Sequence, residues 1–289
     1  MQPVTTANQR ESLRSEVSCA SFDVAGGSVI GRDHRKSGKP CQDAFAWVRA
    51  RESIAAVVAD GCGSGRYSEV GAKLGARLCT GALSRRLCAG ASVADPMLWQ
   101  RTREDVLAHL RIIAQGMGGE LSEVVSDYLL FTLVGVAITP AFTAVFTIGD
   151  GTVAINGDVD QVGPFANNQP PYLAYDLLDR VRCDTSISVR ALRPTHEIDS
   201  ILLATDGVDD LVRVAGQPIP GKEGIVGNLA QFWTNPAMFR NPDNVRRRLA
   251  VINRESFNPD WERQRVARTS GILSDDTTVV TIRRREVTA

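Results

Sequence analysis

The sequence predicts an α+β fold of two antiparallel sheets with helices packed on their outer faces. Three observations predict it. Short runs rich in Val, Ile, Phe and Thr recur near the start, in the middle and at the end of the chain. Two stretches of helical period stand together between the first and second groups of strands. Strands and helices do not alternate one for one, which argues against a doubly wound parallel sheet. No linker divides the chain, so residues 18–289 read as one domain behind a flexible polar leader, residues 1–17.

In chain order, Ser18 to Val29 gives short β-like stretches broken at Gly26-Gly27. A polar loop, Gly31 to Gln42, carries Arg32, His34, Arg35, Lys36 and Lys39. The apolar runs Asp43 to Val48 and Ile54 to Ala59 flank a charged turn and predict a hairpin. Val70, Leu74 and Leu78 then recur at helical spacing, and a second helix is expected from about Pro96 to Met117. Strands follow at Leu129 to Ile138, Phe142 to Ile148 and Val153 to Asn156. Asp160 to Tyr172 is too polar and proline-rich for core and reads as a loop. Strands are expected again at Ile187 to Leu192 and Ile201 to Ala204, a helix at about Pro242 to Arg254, and a strand at Thr277 to Ile282.

The 289 residues are 43% hydrophobic, enough for a sizeable core. Lys+Arg and Asp+Glu balance at 33 each. That balance removes the long-range attraction that nucleic acid or an anionic membrane would need. Six cysteines without a C-x-x-C pair, no apolar leader and no membrane-spanning run lead to the expectation of a cytoplasmic protein with reduced thiols.

Four segments place an aspartate at the edge of an apolar strand: Val57-Val58-Ala59-Asp60-Gly61, Thr147-Ile148-Gly149-Asp150-Gly151, Leu203-Ala204-Thr205-Asp206-Gly207 and Ser274-Asp275-Asp276-Thr277. Asp43 opens a further strand. Any single Asp-Gly is first of all a turn, since Gly accepts positive φ and Asp bonds its own backbone. The set is harder to explain that way. Strand ends of one core converge, and converging carboxylates repel unless a cation holds them. Oxygen donors without paired His or Cys select Mg²⁺ or Mn²⁺ over zinc.

These segments, with Gly31-x-x-His34 and Gly38-x-Pro40-Cys41-Gln42-Asp43-Ala44, resemble the metal-dependent protein phosphatases of type 2C, closest to their compact bacterial branch. The resemblance runs from about Ser18 to Arg283. It implies a four-layer α-β-β-α sandwich with the metal site at one end of the two sheets. It also implies that Asp60 bridges two ions, that Gly61 lends a carbonyl, and that Asp206 and Asp275 complete the pair. Asp43 would hold metal-bound waters, and Asp150 matches a position supporting a third, weaker ion in some members. Two ions about 3.5–4 Å apart would activate a shared water for in-line attack on phosphorus, without a phosphoenzyme. Asp60 and Asp43 are thus the candidate catalytic residues.

Two departures concern phosphate and leaving group. Many members carry an arginine where this chain has Gly38, which leaves His34, Arg35 and Lys39 as candidate phosphate contacts, His34 and Lys39 foremost. Eukaryotic members often have His after the first Asp-Gly, where Cys62 stands here. A thiol of ordinary pKa is a poor proton donor, so leaving-group protonation falls to water. In the last motif the metal role goes to Asp275, with Asp276 a helper.

Other features have bland readings. His109 and His196 read as structural, and Cys41, Cys79, Cys88 and Cys183 as small core fillers. Arg246-Arg247-Arg248 reads as a solvated helix face. Arg263, Arg265 and Arg268, near Trp261, are surface solubility first and a steering patch for a phosphoprotein second. The function expected is a phosphoserine/phosphothreonine protein phosphatase acting on a phosphoprotein and opposing a Ser/Thr kinase. The alternative is a catalytically weak regulatory module that binds a partner, and a third reading is a small-molecule phosphatase.

Overall fold

The structure is a computed structural model and describes residues 18–178 and 184–285. The expected leader 1–17 and Cys183 lie outside the described residues.

The first part of the chain runs β1 (Phe22–Val29), α1 (Arg32–Ser37), β2 (Ala44–Ala50), β3 (Ser53–Gly61), α2 (Ser68–Cys88), α3 (Pro96–Met117) and α4 (Leu121–Val124). A single π-helical turn, Val125–Leu129, leads into β4 (Phe131–Ile138), β5 (Phe142–Ile148), β6 (Gly151–Ile155) and β7 (Asp158–Val162). Then come β8 (Ser188–Pro194), β9 (Ser200–Ala204), α5 (Val208–Arg213), α6 (Gln231–Thr234), α7 (Ala237–Arg240), α8 (Asn244–Ile252), β10 (Ser256–Asp260), β11 (Arg265–Thr269) and β12 (Thr277–Arg284). No helix among the described residues is long and apolar enough to cross a membrane.

Two five-stranded antiparallel sheets form, in the orders β2-β3-β4-β5-β8 and β1-β12-β9-β6-β7, with β10 and β11 as a separate hairpin. The apolar runs of β3, β4, β6 and β9 are unbroken because both faces of the sheets are covered there. Ile54, Ala56 and Val58 of β3 meet Val153, Leu203 and Val280 between the sheets. Ala55, Val57 and Ala59 turn the other way, onto Ala72, Ala76, Cys79 and Leu83 of α2. On the far side, Val245, Leu249 and Ile252 of α8 cover Ala25, Leu202 and Val279. The result is the expected four-layer α-β-β-α sandwich. Each fully buried Ile, Leu or Val in it is worth about 1.5–3 kcal/mol.

α3 matches its expected bounds, with Asp95 capping it through Oδ1 to the amide of Met97 at 2.9 Å and Pro96 in its first turn. Other expectations need correction. Gly26-Gly27 does not interrupt β1. A Cβ at Gly26 would stand 2.8 Å from the Phe45 ring, and one at Gly27 would overlap the backbone of Arg246 in α8. The pair is glycine because two layers close on it. The expected loop Asp160 to Tyr172 starts inside β7, an edge strand with Asp158, Val159, Asp160 and Gln161 all exposed. The polar segment Gly31 to Gln42 contains α1, closed by Gly38 at φ 70°. The hairpin β10–β11 and the short helices α5, α6 and α7 were not anticipated.

Candidate metal and phosphate site

The strand ends that carry aspartates lie at one end of the sandwich and draw on both sheets. Asp60 and Gly61 end β3, and Asp206 follows β9. Asp150 joins β5 of the first sheet to β6 of the second, and Asp275 precedes β12. A cleft of about 140 Å³ is walled by Asp60, Gly61, Asp150, Asp206, Asp275 and His34, closed by Cys62, Gly63, Thr132, Pro170 and Tyr172. A neighbouring cavity of about 170 Å³ shares Asp150 and Asp206 and adds Asp209.

Asp60 lies at the centre. Its carboxyl is within hydrogen-bonding reach of both Asp43 and Asp206. Burial, then the charges of Asp43, Asp206 and Asp275, push it well above the usual carboxylate range. Burial raises Asp43 to about 8, against a hydrogen bond of 2.7 Å from Thr205 Oγ1 to Asp43 Oδ2. Asp43 Oδ1 is buried with no donor. Asp206 rises to about 7 through burial and the charges of Asp275 and Asp150. Among the described residues no Lys or Arg side chain lines the cleft. Carboxylates in mutual reach, one with an orphaned buried oxygen and none with a basic partner, form a donor set that a hard divalent cation fits.

The glycines beside the aspartates serve two purposes. Gly149 and Gly151 take φ 84° and 138°, as a turn reading expects. Gly61 and Gly207 do not have positive φ; they are glycine for space. A Cβ at Gly61 would stand 2.8 Å from the carbonyl oxygens of Gln42 and Ser68, and one at Gly207 would overlap the Asp276 carbonyl.

Asp276 does not line the cleft. Its Oδ1 accepts from Gly31 N at 2.6 Å, and its Oδ2 accepts from Gln42 N at 2.5 Å and pairs with His34 Nδ1 at 2.8 Å. It is 2% exposed and ties both ends of the α1 segment to the loop before β12. His34, Asp275 and Asp276 each bring one donor atom within 4.8 Å of the others.

The family model for protein phosphatase 2C matches residues 30–250, most of the chain, from α1 into α8. The chain belongs to the protein phosphatase 2C family. Solved structures of this family's kind share the fold. Serine/threonine phosphatase Stp1 from Staphylococcus aureus is 13% identical, with a TM-score of 0.53 over 92% of this chain and 96% of that one. PppA, a key regulatory component of T6SS in Pseudomonas aeruginosa, is 18% identical, with a TM-score of 0.52 over 91% and 97%. A bacterial serine phosphatase gives 13%, 0.50, 93% and 100%. No curated protein sequence matches.

Within this type 2C chain the remaining sequence candidates separate. His34 lines the cleft. Lys39 does not: its Nζ donates to the carbonyl of Gly63, a residue of the cleft wall, at 2.8 Å. Gly38, where an arginine stands in many relatives, is the left-handed cap of α1. Burial alone would raise the Cys62 thiol, but hydrogen bonds from Ser64 and Tyr172 outweigh it and hold the group below its ordinary value. The expectation of a thiol of ordinary pKa at Cys62 is thereby corrected. Thr205, Tyr172 and Asp209 were not singled out from sequence. Thr205 and Asp209 had a local signal in Thr205-Asp206-Gly207-Val208-Asp209. Tyr172 had none.

Proposed function

We propose that residues 18–289 form one catalytic unit, a metal-dependent phosphoserine/phosphothreonine protein phosphatase. The observation that carries this reading is the cluster of buried Asp43 with half-buried Asp60 and Asp206, without a Lys or Arg partner among the described residues. Asp60, the Gly61 carbonyl, Asp206 and Asp275 would hold two Mn²⁺ or Mg²⁺ ions, with Asp150, beside Asp209, at a third and weaker position. Such ions supply a water of lowered pKa and offset charge on the phosphoryl oxygens.

The chain's own groups do the rest. Thr205 holds Asp43 by Oδ2, which leaves the buried Oδ1 free of any donor. Asp276 holds His34 by Nδ1, which leaves Nε2 to meet a phosphoryl oxygen at the cleft wall. Tyr172 and Pro170 exclude water from one side. The partner class is a phosphoprotein, with a Ser/Thr kinase as the opposing activity, in the cytoplasm.

Hydrolysis of p-nitrophenyl phosphate with EDTA, Mg²⁺ or Mn²⁺, in the wild type and in Asp60→Asn, tests the reading. Activity that requires a divalent ion and disappears in the variant supports it; turnover indifferent to EDTA sinks it. The lack, among the described residues, of a basic side chain other than His34 on the cleft wall favours one second reading, a partner-binding module with weak turnover. A folded protein that binds Mn²⁺ and turns over nothing would favour that reading.

A further inference from the structure

The ester oxygen of a phosphoserine or phosphothreonine leaves poorly as an alkoxide. An acid placed beside such an oxygen is worth about 10²–10⁴-fold in rate. Sequence alone leaves that proton to water. On the cleft wall the aspartates are the donors for cations, and three other side chains there can carry a titrating proton: Cys62, Tyr172 and His34. Burial pushes the Tyr172 hydroxyl up, and its hydrogen bond goes to Cys62. The Cys62 sulfur is taken up by that bond and by Ser64 Oγ at 3.1 Å. His34 has a ring nitrogen to spare.

The ring is held by its other nitrogen. Asp276 accepts from Gly31 N at 2.6 Å and from Gln42 N at 2.5 Å, and pairs with His34 Nδ1 at 2.8 Å. An ionised carboxylate only accepts, so Nδ1 carries the hydrogen of this bond. Nε2 is then the nitrogen that gives or takes a proton. Both members are shielded: the Asp276 side chain is 2% exposed and that of His34 17%. Their place beside the metal donors is fixed by the backbone. Arg32 N bonds the Leu273 carbonyl at 2.9 Å, and Asp33 N the Ser274 carbonyl at 3.0 Å. A Cβ at Gly31 would overlap the backbone of Asp275. The first turn of α1 thus lies against the chain at Asp275, and a ring nitrogen of His34 comes within 4.8 Å of an Asp275 carboxylate oxygen.

We propose that His34 is the acid that protonates the leaving oxygen of the substrate, with Asp276 as its positioning residue. The inference rests on the phosphatase reading and gives that site one further catalytic residue. The phosphoryl oxygen that Nε2 meets is the ester oxygen. As water adds to phosphorus, the bond from phosphorus to this oxygen breaks and its electron pair stays with the oxygen. The oxygen takes the Nε2 proton and departs as the serine or threonine hydroxyl. The neutral ring keeps Nδ1–H on Asp276. It recovers a proton from the H₂PO₄⁻ just formed, which leaves as HPO₄²⁻.

The test measures hydrolysis with Mn²⁺ of a phosphothreonine peptide and of aryl phosphates with leaving groups of graded pKa. Wild type is compared with His34→Gln and Cys62→Ser. His34→Gln should lose about 100-fold or more in kcat on the peptide. The loss should shrink toward p-nitrophenyl phosphate, whose phenolate leaves without a proton, so log kcat falls more steeply with leaving-group pKa than in wild type. Equal slopes overturn the assignment, and a steeper slope in Cys62→Ser alone moves it to the thiol. Nitrogen-15 NMR of the metal-free protein, which has three histidines, reads the ring without turnover. Neutral His34 should be the Nδ1–H tautomer, and Asp276→Asn should lose that preference; an Nε2–H ring in wild type overturns the dyad. Calorimetric titration should find the Mn²⁺ affinity of His34→Gln close to wild type. A loss of about tenfold or more would make the ring part of the metal site and overturn the acid role. If wild type turns over no ester, the phosphatase reading has failed and the acid role falls with it. Turnover by wild type with equal slopes sinks the acid role alone.

Discussion

Thr205 donates to Asp43 Oδ2 and accepts from Thr278 N at 3.0 Å, so one hydroxyl links β9, β12 and the start of β2 beneath the cleft. Thr205→Val keeps the shape and removes the donor. Supporting partners of metal ligands are worth about 10–100-fold in affinity or activity, and we expect a loss of that size in Mn²⁺ affinity by calorimetric titration. Unchanged affinity would exclude the positioning role. The same carboxylates set a pH dependence. Asp43 and Asp206 titrate near the ordinary 3.8 when unfolded, but are raised to about 8 and about 7 in the metal-free fold. Between those limits the folded chain binds more protons than the unfolded one. The contribution of these two groups to stability is therefore full below about pH 4 and falls as pH rises toward 8. In EDTA, Tm should drop from pH 5.5 to pH 8, and Mn²⁺ should flatten the slope; a Tm in EDTA independent of pH contradicts this. The aspartates themselves were legible in the sequence, because Asp at the end of an apolar run is a local pattern. The Asp276 clamp and the Thr205 bond were not, since their partners lie more than a hundred residues away.

At the level of elements, Gly27 marks where α8 comes closest to β1. Gly27→Ala would force its methyl into the Arg246 backbone, which a strand and a helix N-terminus cannot both yield to. Overpacking of this kind costs about 1–3 kcal/mol, and urea denaturation should show a lower midpoint at an unchanged slope. A midpoint equal to wild type would mean that α8 shifts freely. The long helices and central strands could be read from sequence, because each buries apolar residues at its own period. β7 and β11 could not, since strands exposed on both faces carry no such alternation: Arg265-Val266-Ala267-Arg268-Thr269 reads as loop. Gly26-Gly27 misled for another reason. Its explanation lies in two neighbouring layers and not in the local chain.

For the whole molecule, the cleft exists only where the two sheets meet. Asp60 comes from one sheet, and Asp206 and Asp275 from the other. An ion held among them binds the folded state and not its separate halves, so it stabilises by mass action, about 2.7 kcal/mol at a hundred times its dissociation constant. Denaturation followed by Trp fluorescence and by far-ultraviolet circular dichroism should give one coincident transition that moves as a unit with Mn²⁺. Two separated transitions would break the reading of residues 18–289 as one domain. The order of strands in the second sheet carries this further, into the making of the protein. β12 lies between β1 and β9 and pairs with both. A chain still on the ribosome cannot join β1 to that sheet until residues 277–284 have emerged, and until then β1 and β9 present open edges to whatever is near. No partly synthesised chain can assemble the cleft, and a stop codon ahead of Thr277 would remove the site altogether, not merely trim a strand.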